Sequence, residues 1–267
     1  MEQEQEFIDR QDTKLPGVQE DLVEHLAHVA SRPIIVVIMS GGSVNLERFK
    51  TNPRIGAILY VGYPGQAGGI SIAQTIFGDN NPSGRLSHTF YRSNFVDRVS
   101  MYDYNMRPNP ATGNPGRTYR FHQDPVVYPF GHGLSYTKFQ FHWIQPHTFL
   151  SCSDLNKQLD QTIQFKVKIE VRNVGPFDGD TSVLCFAIPP EGERGKNGNP
   201  IRSLVTFERV SLASNTTQTL ELSFSAVNFA VPNVDGEFTI LSGIWRLDVE
   251  EAQHFVHILE KNHAEIL

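Results

Sequence analysis

The hydrophobic residues change their period along the chain, and this change constrains the fold more than any other feature. From Leu15 to Ala30, apolar residues recur in steps of three and four, which predicts an amphipathic helix. Near-continuous apolar runs follow in "RPIIVVIMSGG" and "IGAILYVGYPG", and "GGISIAQTIFG" predicts a second helix that ends at Gly78. Apolar runs that alternate with helices are typical of strands buried on both faces of a parallel sheet. The first third of the chain is therefore predicted to be α/β.

After Thr162 the hydrophobic pattern has a period of two. The stretch "QFKVKIEVRNVG" alternates, and it is followed by the short runs "SVLCFAI", "LVTFERVSL", "TLELSFSA", "EFTILSG" and "WRLDVE". Short strands separated by Gly, Asn and Pro turns indicate a β-sandwich of about 100 residues. The last part of the chain, from about residue 160 to about residue 260, is therefore predicted to fold as an independent domain.

The stretch between these two patterns has no helical period from about Phe90 to Lys138, and Pro, Gly, Asn, Arg and Tyr dominate it. Aromatic and arginine side chains pack on other surfaces, which a Gly/Ser tether cannot do. The sequence therefore predicts an α/β domain over residues 1–100, an ordered connection over 101–158, and an all-β domain over 159–260.

Composition excludes several classes of protein. The chain has 267 residues, of which 39% are hydrophobic, and no apolar run approaches the roughly 18–20 residues of a membrane helix. Its formal charge of -6, with scattered Lys and Arg, argues against a nucleic-acid partner. The N-terminal "MEQEQEFIDRQD" lacks the basic and apolar parts of a secretory signal, so the compartment stays open. The sequon at Asn215 accepts a glycan only if the chain enters a secretory pathway.

A glycine-rich turn, "GYPGQAGG", precedes the second predicted helix and raises the possibility of a phosphate cradle. Its glycines lack the spacing of a dinucleotide fingerprint, and the P-loop Lys-Ser/Thr pair is absent. The alternative is a tight strand-to-helix crossing, in which Gly68 and Gly69 allow close packing and Pro64 fixes the turn. We favour packing and predict no cofactor.

Metal-ligating patterns are weak. His25 and His28 are three residues apart, as are His254 and His257, but neither pair has a third ligand at metal spacing, so we predict no metal. "EHLAH" is also not the HExxH order of a zinc protease. The two cysteines, at positions 152 and 185, suffice for one disulfide, and Cys185, in a predicted strand, is expected to be a small core residue.

Long stretches of the chain resemble glycoside hydrolase family 3. "GAILYVGYPGQAGGISIAQTIFGDNNPSGRLSHTFY" resembles its C-terminal α/β sandwich, and "VRNVGPFDGDTSVLCFAIPP" resembles the first strands of its fibronectin type III-like domain. The segment "MYDYNMRPNPATGNPGRTYRFHQDPVVYPFGHGLSYTKF" is similar to the connection between them. "MRP", "PGRTYRF" and "YPFGHGLSYTKF" look most like the β-xylosidase and α-L-arabinofuranosidase branch. The resemblance implies an α/β sandwich domain followed by an all-β, fibronectin type III-like (immunoglobulin-like) sandwich.

The same resemblance implies a retaining hydrolysis of β-linked pentosides, with an oligosaccharide or glycoside as the substrate. Complete members of the family begin with a (β/α)8 barrel that carries the nucleophilic aspartate. This chain is expected to hold only the second half of the active site and to be inactive alone. Family members are often secreted. A non-catalytic carbohydrate-binding or scaffold module that lacks the barrel is the alternative.

Candidate site residues come from the resemblance and from position. "EQEFIDR" is similar to the family's Glu-x-Glu-x-x-Asp-Arg, which makes Glu4 the first choice for the acid/base and Glu6 the second, with Asp9 and Arg10 either anchoring that loop or forming a surface ion pair. Ser40 ends a predicted strand, where open α/β sheets place ligand contacts, although packing also explains the glycines after it. The connection carries polar and aromatic side chains that either contact sugar or join the domains: Tyr102, Asp103, Arg107, Arg117, Tyr119 and Arg120.

Overall fold

The computed structural model describes residues 7, 8, 10–157, 159, 164–232 and 235–260. These residues form two compact units. The first unit contains the described residues up to 80, together with 86–118 and 122–132. The second contains 81–85, 119–121 and the described residues from 133 onwards.

The first unit combines short helices with one pair of parallel strands. In chain order its elements are α1 (Gln19–Val29), β1 (Ile34–Ile38), α2 (Glu47–Thr51), β2 (Ile55–Tyr60), α3 (Gly68–Phe77) and α4 (Phe95–Arg98). A further short helix, α5 (Thr118–Phe121), starts in the first unit and continues into the second. Strands β1 and β2 are parallel, with Val36 opposite Ile58. Buried side chains of this unit form a small core: Val36, Ile38, Val44, Leu46, Phe49, Phe90 and Val127.

Helix α1 differs from its prediction in one respect. It begins at Gln19 rather than near Leu15, and its buried residue is Ala27. Apolar residues that make up its period, including Leu22, Leu26 and Val29, are exposed. Two strands offer a helix a narrow surface, so α1 turns Ala27 and the partly buried Val23 towards the core instead.

The two strands of the first unit are also less covered than predicted. Near-continuous apolar runs predict burial on both faces, but Ile35 is exposed, and of β1 only Val36 and Ile38 are buried. The end of α3 agrees with its prediction. Gly78 follows the last helical residue with a φ of +86°, a conformation that side chains with a Cβ rarely adopt.

The second unit is built from β-strands. In chain order these are β3 (Phe139–Trp143), β4 (His147–Ser151), β5 (Gln164–Asn173), β6 (Gly179–Ile188), β7 (Ser203–Leu212), β8 (Thr217–Ser225), β9 (Ala230–Pro232), β10 (Phe238–Ile240), β11 (Gly243–Val249) and β12 (Ala252–Leu259). Helix α6 (Cys152–Lys157) follows β4, and a 3-10 helix (Ala226–Phe229) follows β8.

These strands form a five-stranded sheet in the order β4-β12-β11-β6-β7, a three-stranded sheet in the order β3-β5-β8, and the pair β9-β10. Only β4 and β12 run parallel among the described pairs of this unit. Side chains from both large sheets share one core, including Ile169 and Leu222 from the smaller sheet and Val183, Leu247 and Val256 from the larger. Two sheets that bury their facing sides against each other form a sandwich.

The described part of the chain is thus mostly β-sheet with few helices, in a sandwich architecture. The predicted boundaries at residues 100 and 158 stay a prediction, although β3 and β4 of the second unit precede residue 159. Cys185 is fully buried in β6, which confirms its expected place in the core, and it forms no disulfide with Cys152. Among the described residues, no helix is long and apolar enough to span a membrane.

Candidate functional site

The proposed acid/base residues Glu4 and Glu6, and Asp9 beside them, lie outside the described residues, so their roles stay predictions. Arg10 is described, and its guanidinium donates a hydrogen bond to the Lys14 carbonyl. This bond holds Arg10 within the local turn that precedes α1.

Ser40 lies just after β1, as predicted, and is almost fully buried. Its hydroxyl donates to the Gly42 carbonyl at 2.9 Å, and its own carbonyl accepts a hydrogen bond from the Tyr60 hydroxyl at 2.7 Å. These bonds close the turn after β1 and tie it to the end of β2. A ligand contact at Ser40 stays a prediction.

The loop over residues 100–117 is organised around Asp103. One carboxylate oxygen accepts from the backbone NH of Asn105 at 3.0 Å and from its side-chain amide at 2.7 Å, and the other accepts from the Asn114 amide at 3.0 Å. Hydrogen bonds to an ionised carboxylate favour that form. The backbone NH of Asn105 contributes most to lowering the pKa of Asp103, and the side chains of Asn114 and Asn105 add to it.

Asn114 and Arg117 complete this network, which we call the Asp103 cluster and define as Asp103, Asn105, Asn114 and Arg117. Asn114 is buried, and its side-chain oxygen accepts from the Gly116 NH at 2.9 Å. Arg117 donates to the carbonyls of Ser100 at 3.1 Å and Asp103 at 2.6 Å. The loop therefore has an internal polar frame although it contains little regular structure.

Three side chains on this loop are exposed to solvent. Tyr102 is 79% exposed and Tyr104 is 84% exposed, and Arg107 is exposed as well. Aromatic rings offer apolar faces that match the apolar faces of sugar rings, and arginine donates to hydroxyls. The arrangement can present these groups to a ligand from a fixed base.

The predicted cluster of polar and aromatic residues is divided between the two units. Asp103 and Arg117 meet in the Asp103 cluster, whereas Tyr119 and Arg120 belong to the second unit. There the Tyr119 hydroxyl accepts from the Leu204 NH at 3.3 Å, and its ring packs edge-on against Phe186. Tyr119 therefore has a structural role within the second unit.

An aromatic group at the base of the loop has no counterpart in the pattern of the sequence. The rings of Tyr91 and Phe95 stack with centroids 3.9 Å apart, and His122 packs edge-on against both. The Tyr91 hydroxyl accepts from the Thr118 NH at 2.6 Å, and burial raises the pKa of Tyr91. Tyr91 and Thr118 are far apart in sequence, so only the folded chain shows that they meet.

The glycine-rich turn supports packing over a phosphate cradle. A Cβ added at Gly68 would clash with the Pro64 ring, so the start of α3 requires glycine at this position. An open cavity of about 500 Å³ lies beside this turn and is lined partly by Val61, Gln66 and Ser71. A Cβ added at Gly69 would meet nothing within 4 Å, so close packing explains Gly68 and the prediction for Gly69 is wrong.

His25 and His28 are both exposed on α1, whereas the second histidine pair separates in the structure. His254 and His257 lie on β12, where a spacing of three places side chains on opposite faces. His254 is buried, donates through Nδ1 to the Gln145 carbonyl, and bonds through Nε2 to the Thr148 hydroxyl at 2.9 Å. His257 instead meets His147 on β4, with 3.1 Å between their nitrogens. Within the part of the chain that the structure describes, no three His, Cys, Asp or Glu side chains are arranged to hold a metal.

Comparison with protein families identifies the first half of the chain. The sequence model described as "Glycosyl hydrolase family 3 C-terminal domain" matches residues 1–136. "Probable beta-D-xylosidase 6" of Arabidopsis thaliana is 38% identical over 97% of this chain and 35% of its own length. "Beta-xylosidase/alpha-L-arabinofuranosidase 2" of Medicago sativa subsp. varia is 37% identical over 97% of this chain and 34% of its own length.

Solved structures give the same result. A GH3 exo-beta-xylosidase, solved with a xylobiose aziridine activity-based probe, superposes with a TM-score of 0.86 at 28% identity, over 94% of this chain and 34% of that one. A beta-glucosidase from Streptomyces venezuelae, solved with D-glucose, has the same fold with a TM-score of 0.73 at 24% identity, over 94% of this chain and 32% of that one. The chain thus spans about a third of the length of the relatives that it matches.

Proposed function

The chain belongs to glycoside hydrolase family 3, and we propose that it forms the C-terminal part of a β-xylosidase-like retaining enzyme. The observation that carries this proposal is its alignment with β-xylosidases along almost its whole length, at 38% identity over 97% of the chain. The proposed reaction is hydrolysis of the O-glycosyl bond of terminal β-linked pentosides, in the breakdown of xylan or arabinan.

We propose further that the first unit is the end of the family's α/β sandwich and that the second is its fibronectin type III-like domain, with boundaries near residues 100 and 158. The helices and parallel strand pair of the first unit support the former. The two facing sheets of the second unit support the latter.

A retaining glycosidase needs two carboxyl groups about 5–5.5 Å apart, of which one attacks the anomeric carbon and the other protonates the leaving oxygen. In this proposal Glu4 supplies the proton, with Glu6 as the second choice, and a (β/α)8 barrel supplies the nucleophile. The isolated chain cannot form the glycosyl-enzyme intermediate without that nucleophile, so we expect it to be inactive.

We also propose that Ser40, Tyr102 and Arg107 contact the substrate. The Asp103 cluster supports this for Tyr102 and Arg107, because a loop that is already ordered loses little entropy when a ligand binds. The exposed ring of Tyr102 offers one face to a pentose, and Arg107 offers donors to its hydroxyls.

The test replaces the matching C-terminal third of the Medicago relative with this chain and measures turnover of an aryl β-xyloside. We expect turnover by the fusion and none by the isolated chain. A folded fusion with no turnover, together with binding of xylo-oligosaccharides by the isolated chain, would instead favour the alternative of a non-catalytic carbohydrate-binding module.

In the active fusion, Glu4→Gln and Glu6→Gln separate the two candidate acids. Loss of the general acid slows glycosyl transfer by about 10²–10⁴-fold for a poor leaving group, and far less for one that departs without protonation. We therefore expect Glu4→Gln to impair an alkyl xyloside much more than a dinitrophenyl xyloside, and Glu6→Gln to affect both alike. The reverse pattern would assign the acid to Glu6.

A further inference from the structure

The turn between β7 and β8 carries a sequence feature that the proposed enzyme activity does not use. Asn215, Thr216 and Thr217 form an Asn-X-Thr sequon, and no other asparagine in the sequence is followed by Ser or Thr two residues later without an intervening Pro. The Asn81-Pro82-Ser83 stretch has Pro at the middle position, which blocks it as an acceptor.

The structure places Asn215 at an accessible point. It is exposed in the turn after β7 and has a φ of +61°, a conformation that asparagine tolerates better than most residues. Its side-chain amide donates to the neighbouring Ser214 hydroxyl at 3.1 Å. A group attached to this nitrogen would project from the turn and would not displace any core side chain.

The turn itself is firmly held by groups other than the Asn215 side chain. The Ser214 NH donates to the Asp178 carboxylate at 2.8 Å, and the Ser214 hydroxyl donates to the Gly175 carbonyl at 2.8 Å. The Thr216 hydroxyl donates to the Ala213 carbonyl at 2.7 Å. Modification of Asn215 would therefore leave the fold of the turn intact.

The strands on either side of Asn215 both lie at sheet edges, which a group attached to this residue would affect. Among the described strands, β7 is at one edge of the five-stranded sheet and β8 is at one edge of the three-stranded sheet. Strands at a sheet edge carry backbone groups that can pair with another chain. On β7, Phe207 is 67% exposed and adds apolar surface to that edge. The turn that carries Asn215 joins these two edges.

We propose that Asn215 is an N-glycan acceptor and that its glycan shields the β7 and β8 edges from pairing with a second copy of this chain. In the modification, the Asn215 amide nitrogen forms a bond to C1 of a sugar, the bond from C1 to a lipid-linked diphosphate breaks, and the amide nitrogen loses a proton. The lipid-diphosphate oligosaccharide of a eukaryotic secretory pathway is the donor. A bulky, hydrophilic glycan at the turn occupies the space next to both edges.

The test directs the full chain into the secretory pathway of eukaryotic cells with an added leader and measures its intact mass before and after treatment with an N-glycan amidase. We expect a glycan that the amidase removes. Thr217→Ala destroys the sequon and should abolish the glycan, whereas Thr216→Ala keeps the sequon and should retain it. An unmodified wild-type chain, or a glycan that persists in Thr217→Ala, would overturn the assignment.

A second measurement tests shielding. Sedimentation velocity compares the glycosylated chain with the same chain after amidase treatment, over a range of protein concentrations. We expect the deglycosylated chain to self-associate at lower concentration, and Phe207→Ser to reduce that association. Equal association of the two forms would overturn the shielding role, and unchanged association in Phe207→Ser would exclude the β7 edge.

Discussion

The two units of this protein bury their apolar side chains to very different extents. The second unit places residues from two facing sheets in one continuous core, whereas the core of the first unit is a small group around β1, β2 and α2. Large apolar side chains on α1 and α3 of the first unit are exposed, including Leu22, Val29, Ile70 and Phe77. The β-sandwich buries the apolar side chains of its own strands. The α/β unit needs a further surface to cover the exposed apolar side chains of its helices.

The largest effect that we expect is a difference in independent folding. A fragment of residues 133–260 contains both sheets and should unfold in one cooperative thermal transition. A fragment of residues 10–132 should show no cooperative transition and should bind a dye specific for exposed apolar surface. Circular dichroism and dye fluorescence measure these properties. A cooperative transition in the first fragment would remove the contrast between the units.

The second effect concerns the core of the sandwich. Phe229 is fully buried and packs edge-on against Trp245. We expect Phe229→Ala to lower the free energy of unfolding of the second unit by about 3–5 kcal/mol, since it leaves a cavity in a closed core. Phe207→Ala is the matched control, and because this ring is exposed we expect it to change that free energy by less than about 0.5 kcal/mol. Urea denaturation of the 133–260 fragment measures both.

A buried asparagine gives the third effect. Asn173 accepts from the Thr137 hydroxyl at 2.6 Å and from the Gly175 NH at 3.1 Å, and it donates to the carbonyls of Phe177 at 2.8 Å and Leu212 at 3.1 Å. Asn173→Ala leaves these partners unsatisfied and should cost about 3 kcal/mol of unfolding free energy in the 133–260 fragment. Gln218→Ala, at an exposed position, should leave it nearly unchanged. Equal effects would mean that water replaces the Asn173 bonds.

The smallest effect is a pH dependence. Burial lowers the pKa of His254, and the nearby His147 and His257 also lower it, against a hydrogen bond to Gln145 that raises it. The unfolded chain therefore binds a proton first as the pH falls below about 6.5. The stability that neutral His254 contributes is present above that pH and is lost as the pH falls through the folded pKa, with a slope of at most about 1.4 kcal/mol per pH unit.

His88 in the first unit allows a comparison with His254, because burial lowers its pKa as well. The Nε2 atom of His88 has no hydrogen-bond partner among the described residues. NMR titration of the histidine ring signals measures both groups in the intact chain. If His254 titrated at an unshifted pKa, its burial in the sandwich would be wrong.

The sequence predicted those features that depend on neighbours along the chain. Alternation in "QFKVKIEVRNVG" corresponds to β5, where Val167, Ile169 and Val171 all face the core. Gly78 marked the end of α3 because only the local backbone conformation matters there. Both signals are set by local geometry, which a sequence displays directly.

Contacts between residues that are far apart in the chain could not be predicted from the sequence. The contact between His147 and His257 joins two strands that are neighbours in the sheet but far apart in sequence. The hydrogen bond from Asn114 to Asp103 depends on how an irregular loop closes. The exposure of the apolar face of α1 has a related cause, since periodicity shows that a helix has an apolar face but not what covers it.

One measurement tests most directly whether this chain is the C-terminal part of a family 3 enzyme whose first unit requires more polypeptide. The N-terminal two thirds of the Medicago relative, produced separately, is added to the isolated chain, and amide hydrogen exchange and turnover of an aryl β-xyloside are followed together. We predict slower exchange in α1, β1 and α3, little change in the sandwich strands, and turnover that neither part shows alone. Unchanged exchange in those three elements, with no turnover from a folded mixture, would contradict the account.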